Sequence, residues 1–234
     1  VLVTAMIRGA FEYQGQKCSA LSRAYIPKNI WPKLKEIYVK QVNEIKMGDV
    51  EDFSNFMNAV IDKSAFNSIT KYIDDAKKSD NITVLTGGGY DGSIGYFIEP
   101  TTLVTADPKY TTMCEEIFGP ILTIFIYDSN KWNETLDLVD STSPYALTGC
   151  VWGNDRYAVN EATEKLTHAA GNFYINDKPT GAVVGQQPFG GGRSSGTNDK
   201  AGSIFNLMRW VSQRTIKETF DPPTKFSYPF MDKK

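Results

Sequence analysis

Short strand-like runs alternate with longer helical patterns along this chain, and that alternation restricts its fold more than any other feature. Runs rich in apolar and β-branched residues predict strands at 22–26, 82–86, 97–105, 121–127, 147–153 and 172–176. Apolar residues at helical spacing predict helices at 4–14, at 30–46, from Ser64 onward, at 131–140 and from Asp155 to His168. This order favours an α/β fold with a mostly parallel, twisted sheet flanked by helices.

The C-terminal part of the chain follows a different pattern. A long glycine-rich loop at 188–202 precedes a short predicted helix at 203–208. Residues 211–220 then alternate polar and apolar side chains, as an exposed strand does. The last stretch, 222–234, has neither period and is predicted to be a tail.

Charge and composition exclude several classes of partner. The chain carries 25 Lys and Arg against 27 Asp and Glu, and a formal charge of −2 gives no general attraction to nucleic acid or to an anionic membrane. No apolar run reaches the roughly 18 residues of a membrane-spanning helix. Three cysteines and a single histidine argue against a disulfide framework and against a histidine-rich metal site, so no metal is expected. Because the chain opens at Val1 in mid-pattern and without a targeting peptide, we expect its N-terminal part to be missing.

Cys18 stands out among the three cysteines because its neighbours are polar. It lies in FEYQGQKCSALSR, just past the first predicted helix, between Lys17 and Ser19. A nucleophilic cysteine acts as the thiolate, which cationic charge and hydrogen-bond donors in a partly open site favour. Lys17 and the amides of a turn could supply both, but a bystander thiol at a surface turn remains an open alternative. Cys150, in the apolar run LTGCVWG, is predicted to lie in the core, and Cys114 is assigned no role.

Two glycine-rich stretches invite a phosphate-binding interpretation that their details do not support. GGGYDG at 87–92 lies between predicted strands and lacks a following Lys-Ser/Thr, so we expect a hairpin turn. In FGGGRSSG, Gly191 and Gly196 have phosphate-loop spacing, but Thr197 stands where lysine is needed. The segment also lacks G-x-G-x-x-G, since Ser195 occupies the third glycine position. What remains is a loop suited to holding an anion such as a carboxylate.

Three separated motifs together resemble the aldehyde dehydrogenase superfamily. They are F-x-x-x-G-Q-x-C, matched by Phe11, Gly15, Gln16 and Cys18; E-x-F-G-P, from Glu116 to Pro120; and P-F-G-G, from Pro188 to Gly191. They occur in the family's order and cover nearly the whole chain. QGQKCSA and SGTNDKAG further resemble one branch, the mitochondrial Δ1-pyrroline-5-carboxylate dehydrogenases. The resemblance implies oxidation of glutamate γ-semialdehyde to glutamate with NAD, in proline catabolism and in the mitochondrial matrix.

The resemblance also assigns roles to residues of the catalytic machinery. Cys18 would be the nucleophile, and its backbone N–H one donor to the oxyanion. Glu116 would bind the hydroxyls of the nicotinamide ribose, and Phe118 would pack beside the nicotinamide. The backbone amides of Gly202 and Ser203, helped by the Ser19 hydroxyl, would bind the substrate carboxylate, with Trp210 beside its aliphatic chain.

The resemblance also implies a division of the chain into three segments. The sequence departs from the family pattern in its general base. The resemblance implies a catalytic domain at 1–209 without the NAD-binding domain, an oligomerisation strand at 210–221 and a tail at 222–234, hence a homodimer or larger assembly. The family's general base, a glutamate some thirty residues before the cysteine, has no counterpart here, and Glu12 is too near to replace it. We therefore expect little or no activity from this chain alone. Another aldehyde substrate, or a binding and assembly module without redox chemistry, remain alternatives.

Overall fold

The computed structural model describes residues 1–183 and 185–231. The α-helices of these residues are α1 Leu2–Phe11, α2 Trp31–Asn43, α3 Lys63–Lys77, α4 Thr111–Cys114, α5 Trp132–Ser141, α6 Arg156–Lys165 and α7 Ile204–Met208. The strands are β1 Arg23–Pro27, β2 Ile82–Thr86, β3 Tyr90–Asp91, β4 Phe97–Ile98, β5 Thr101–Thr105, β6 Ile121–Tyr127, β7 Tyr145–Ala146, β8 Thr148–Val151, β9 Asn172–Ile175 and β10 Gly192–Arg193. Short 3₁₀ turns lie at Glu12–Gly15 and Pro229–Met231.

The main sheet has four strands in the order β1–β6–β5–β2. β1, β6 and β5 run parallel, and β2 joins the edge antiparallel to β5. A separate parallel pair, β8 and β9, is joined by the crossover helix α6. The antiparallel pairs β3–β4 and β7–β10 are only two residues long. The predicted α/β fold with a mostly parallel sheet is therefore confirmed.

Apolar faces of the helices bury the sheet in three clusters. The first joins α1 and α2 to β6, and its fully buried Tyr38 shares a hydrogen bond of 2.8 Å with the Thr102 hydroxyl. Desolvation raises the pKa of Tyr38 above its ordinary value. The second cluster covers β5 and the start of β6 with α3, and the third joins α5 to α6. These clusters hold the loops at the amino ends of β1 and β6 in place.

Several predicted elements have different boundaries in the structure. The first helix ends at Phe11 rather than at residue 14, because Tyr13 and Gln14 have positive φ angles. Helix α3 is capped by Asp62 rather than by Ser64, since the Asp62 carboxylate accepts from the amide of Ala65 at 2.8 Å.

Other predictions were confirmed in part. The predicted strand at 97–105 divides into β4 and β5 around Pro100, which has no amide to donate. Asp155 caps α6 as predicted, but the helix ends at Lys165, so His168 lies in the turn that follows. The run at 147–153 forms β8, which is half-buried rather than buried.

The C-terminal segment forms less structure than its pattern predicted. Residues 211–219 have no regular secondary structure and are exposed, so the strand expected at 210–221 does not form in this chain. A strand needs a neighbouring strand to pair its backbone, and no described part of the chain pairs with this segment. In the predicted tail, residues 222–231 are exposed except for the partly buried Ser227, and 232–234 lie outside the described residues. Among the described helices, none is long and apolar enough to cross a membrane.

Candidate active site

A tight turn presents Cys18 at the surface. After α1 the chain reverses through Tyr13, Gln14 and Gly15, with φ angles of 57°, 57° and 67°. Two of these residues are not glycine, so their left-handed backbone must be held by tertiary contacts. A further turn follows, in which the Ala20 amide donates to the Lys17 carbonyl at 3.0 Å. Cys18 lies in this second turn with its side chain exposed, as the sequence predicted.

Two glutamine side chains hold this turn against a distant loop. The buried Gln14 accepts from the Asn58 amide at 3.1 Å and donates to the Ala59 carbonyl at 3.2 Å. Gln16 accepts from the Ile61 amide at 2.9 Å. A buried side-chain amide that pairs with both kinds of backbone group fixes position and direction together. These contacts provide the support that the positive φ angles require.

Lys17, expected to supply positive charge beside the sulfur, is already paired. Its Nζ donates to Glu12 Oε2 at 2.7 Å. Burial acts to raise the pKa of Glu12, but the hydrogen bond and charge of Lys17, with Lys178 and Arg8, outweigh it and lower that pKa. A neighbouring cation therefore holds Glu12 as a carboxylate.

The second loop of the site, between α4 and β6, carries Glu116 and Phe118. Phe118 has a φ of 58° and is 47% exposed. The neighbouring Glu115 accepts a hydrogen bond from the Tyr72 hydroxyl at 2.6 Å, and this bond raises the pKa of Tyr72. Glu116 is exposed and makes no side-chain hydrogen bond within the described residues. Its carboxylate is thus available to a ligand.

One cavity of about 380 Å³ joins the two loops. Cys18, Glu116 and Phe118 all line it, together with Lys17 and Lys178. The structure therefore brings together the predicted nucleophile and both predicted cofactor-binding residues, although almost a hundred positions separate them in the sequence.

The four predicted substrate-binding residues do not line this cavity. The buried Ser19 hydroxyl shares a hydrogen bond of 2.8 Å with the Thr180 hydroxyl. The Ser203 amide donates to the Lys200 carbonyl at 3.0 Å, whereas Gly202 is exposed, with a φ of 85°. Trp210 is 82% exposed. Their assignment to the substrate carboxylate and chain stays a prediction.

The sequence analysis missed three residues that shape the site: Gln14, Lys178 and Thr180. Lys178 lines the cavity and donates to the Thr180 carbonyl at 3.0 Å. Gln14 carried only a weak signal, since its side-chain amide can both donate and accept hydrogen bonds. Lys178 and Thr180 carried none, because they are some 160 positions from Cys18 and only the fold brings them near.

The other two cysteines differ from Cys18 in their surroundings. Cys150 is half-buried and lines the cavity wall rather than the core. Desolvation raises the pKa of its thiol to about 11. The Cys114 thiol donates to the Lys109 carbonyl at 3.5 Å. Within residues 1–183 and 185–231, no group of His, Cys, Asp and Glu side chains is placed to hold a metal ion.

Comparison with known proteins decides the family. The sequence model of the aldehyde dehydrogenase family matches residues 1–216. The chain belongs to the aldehyde dehydrogenase family. The resemblance carried by the three motifs is thereby confirmed.

Individual relatives narrow the similarity to one branch of aldehyde dehydrogenases. The mitochondrial Δ1-pyrroline-5-carboxylate dehydrogenase of Dictyostelium discoideum is 59% identical over 229 residues, which are 98% of this chain and 41% of the relative. The human mitochondrial enzyme of the same name is 51% identical over 231 residues, again 98% of this chain and 41% of the relative. The chain thus spans about two-fifths of the length of the curated relatives it matches.

A solved structure gives the same result. The Δ-pyrroline-5-carboxylate dehydrogenase from Mycobacterium tuberculosis, bound with NAD, superposes with a TM-score of 0.88 at 51% identity. The match covers 99% of this chain and 42% of that one. The structural similarity therefore extends over nearly the whole of this chain.

Proposed function

We propose that this chain forms the catalytic domain of an NAD-dependent dehydrogenase that oxidises glutamate γ-semialdehyde to glutamate. The observation that carries the proposal is the meeting of Cys18, Glu116 and Phe118 in one cavity. Relatives that are 51% to 59% identical are named for this activity, and one solved relative holds NAD.

Cys18 performs the first chemical step. Its thiolate forms a bond to the aldehyde carbon, and the carbonyl electron pair moves onto oxygen, which gives a thiohemiacetal oxyanion. The Cys18 backbone N–H makes no hydrogen bond within the described residues, so it is free to donate to that oxygen. The turn fixes this donor before the substrate arrives.

The second step removes two electrons from the same carbon. NAD⁺, when bound, would supply the acceptor for the hydride that leaves this carbon. Loss of the hydride as the oxyanion collapses would leave an acyl thioester on Cys18. Water then adds to the acyl carbon, the carbon–sulfur bond breaks, and the products are a carboxylate, the regenerated Cys18 thiol and a proton released to solvent. The exposed position of Cys18 allows water to reach the thioester.

Glu116 and Phe118 hold the redox partner in place. A carboxylate without protein partners can accept hydrogen bonds from two ribose hydroxyls at once. Phe118, half-exposed on the cavity wall, would offer an aromatic face to a bound nicotinamide ring. Both residues come from one loop, between α4 and β6, and their role in this proposal is to bind and orient the cofactor.

Binding of the substrate carboxylate requires a change at Ser19 and Ser203. Both are engaged within the protein, Ser19 with Thr180 and the Ser203 amide with Lys200. The carboxylate would replace these partners and also use the exposed Gly202 amide. Trp210, largely exposed here, would close on the aliphatic part of the substrate.

In the complete enzyme this chain would contribute three segments. We assign 1–209 to the catalytic domain, 210–221 to a strand that pairs with a second subunit in a homodimer or larger assembly, and 222–234 to a tail. The exposure of Trp210, Val211, Ile216 and Phe220 supports a covered segment in the assembly. Relatives from Dictyostelium, cattle and humans are named mitochondrial, which supports the mitochondrial matrix.

The test uses a chimera in which this chain replaces the matching segment of the Dictyostelium relative. We expect NADH formation with glutamate γ-semialdehyde and a much higher kcat/KM for it than for a simple aliphatic aldehyde. A preference for the aliphatic aldehyde would overturn the substrate assignment. The 234-residue chain alone should show little turnover, and robust NAD-dependent activity from it would contradict the proposed division into domains.

A further inference from the structure

The P-F-G-G motif at 188–191 has no role in the proposed function, yet its backbone is paired closely with the start of β9. The Asn172 side chain donates to the Pro188 carbonyl and accepts from the Gly190 amide, both at 3.1 Å. A Cβ on Gly171 would collide with the Gly190 carbonyl oxygen. Because backbone groups of the motif are paired in this way, the motif can serve as a fixed support for the segments attached to it.

Lys200 makes a second connection between this motif and β9. Its Nζ donates to the carbonyls of Gly171 and Gly190, the latter at 3.0 Å. Among the residues that the structure describes, Lys200 is in no ion pair. Desolvation lowers its pKa, and its φ of 58° is a left-handed conformation that requires tertiary support in a residue with a Cβ. A partly buried ammonium without a carboxylate is costly, so its two bonds to carbonyls indicate a positional role.

The backbone around Lys200 joins the motif to residues assigned to the substrate carboxylate. The Ala201 amide donates to the Phe189 carbonyl at 2.8 Å, and the Phe189 amide donates to the Ala201 carbonyl at 2.9 Å. The Lys200 carbonyl accepts from the Ser203 amide at 3.0 Å and from the Ser203 hydroxyl at 2.7 Å. The exposed Gly202 amide makes no hydrogen bond within the part of the chain that the structure describes, so an anion can reach it.

We propose that Lys200 is a positioning residue for the substrate carboxylate. Its Nζ holds the P-F-G-G motif against the start of β9, and the motif in turn fixes the turn at 200–203 that presents the Gly202 amide. The inference rests on the proposed function and on the role given there to Gly202 and Ser203. Because Lys200 acts through this turn, it affects the affinity for an aldehyde that carries a carboxylate and not the bond changes at Cys18.

Hydrogen–deuterium exchange of the 234-residue chain tests the positioning itself and needs no turnover. Lys200→Met removes the ammonium but keeps a long side chain and a Cβ at the same φ angle. Exchange of the Phe189, Ala201 and Ser203 amides should accelerate by at least about tenfold, because the turn opens more often without the two carbonyl bonds. The Thr123 amide, which donates to the Ser22 carbonyl beside the main sheet, should not change.

Two further variants make this measurement specific. Lys71→Met, at an exposed position of α3, is the matched control and should leave all four amides unchanged. Lys200→Arg keeps a cation with several donors and should restore slow exchange in large part. Unchanged exchange at 189, 201 and 203 in Lys200→Met would overturn the inference. Acceleration that extends equally to Thr123 would show a general loss of stability and would also overturn it.

The same variants in the Dictyostelium chimera test the consequence for the substrate. Lys200→Met should raise the KM for glutamate γ-semialdehyde by at least about tenfold and leave kcat within about twofold. The kcat/KM for propanal, which has no carboxylate, should stay within about twofold of the parent. Lys200→Arg should recover most of the lost affinity. Equal losses with the two aldehydes, or a lower kcat at an unchanged KM, would overturn the inference.

The two experiments distinguish failure of this inference from failure of the proposed function. A parent chimera that does not oxidise glutamate γ-semialdehyde would refute the proposed function, and amide exchange would still decide whether Lys200 positions the turn. An active parent, together with a Lys200→Met chimera that keeps the parental KM, would overturn the inference and leave the proposed function standing.

Discussion

Gly15 lies so close to Gly119 that a Cβ on Gly15 would be 2.4 Å from the Gly119 carbonyl oxygen. Because of this contact, the turn that carries Cys18 packs directly against the loop that carries Glu116 and Phe118. The Ala10 carbonyl lies on the other side, 2.8 Å from the same Cβ position. The distance between the proposed nucleophile and the proposed cofactor-binding residues therefore depends on the absence of a side chain at position 15.

Gly15→Ala should destabilise the chain strongly. The substitution places a side chain at a φ of 67° and against two backbone carbonyls, which together should lower the free energy of unfolding by at least about 2 kcal/mol. Urea unfolding measures the change. Gly192→Ala is the control, because its Cβ would meet nothing within 4 Å and its φ is not positive. Similar stabilities of the two variants would refute the close contact.

Gln14→Leu should loosen the same turn from the other side. It leaves the Asn58 amide and the Ala59 carbonyl without a partner, at a cost of about 1–3 kcal/mol. Chemical unfolding gives the stability, and exchange of the Asn58 amide should accelerate. Gln213→Leu, at an exposed position, should change neither. The interpretation fails if Gln14→Leu behaves like Gln213→Leu.

The three cysteines should differ in their rates of alkylation by iodoacetamide. Cys18 is exposed and should react first, ahead of Cys114 and Cys150. With a pKa of about 11, Cys150 has only about one thiolate in a thousand at pH 8, and its rate should rise roughly tenfold per pH unit until the pH passes about 11. Peptide mapping over time measures all three. Reaction of Cys18 no faster than that of Cys114 and Cys150 would remove the support for a reactive thiol.

Glu116→Gln should weaken use of NAD in the chimera. Loss of the charge-assisted hydrogen bonds to the ribose should raise the KM for NAD by at least about tenfold, with a smaller effect on the KM for the aldehyde. Glu115→Gln is the matched control, since Glu115 lines the same cavity but its carboxylate already accepts a hydrogen bond from the Tyr72 hydroxyl. If both variants keep the parental KM for NAD, the role given to Glu116 is wrong.

The sequence predicted the elements whose signal is local. Strands such as β2 and β6 have continuous apolar, β-branched runs, and Asp155 caps α6 because its carboxylate meets the first free amides of the helix. The motif residues Cys18 and Glu116 were found because their neighbours form family signatures.

The features that the sequence did not predict depend on distant contacts. The left-handed backbone of Tyr13 and Gln14 is stable only because the segment around Asn58 pairs with it. The hydrogen bond from Ser203 to Lys200, which occupies an amide assigned to the substrate, follows from a turn that the glycine-rich loop did not reveal. The segment at 210–221 has the alternation of a strand, but pairing is a property of two segments and not of one.

The most direct test of covalent catalysis by Cys18 is the rate of NADH formation by the chimera with glutamate γ-semialdehyde, for Cys18→Ser beside Cys150→Ser. We predict a loss of at least about a thousandfold in kcat for Cys18→Ser and a rate near the parent for Cys150→Ser. An undiminished rate for Cys18→Ser would contradict the account.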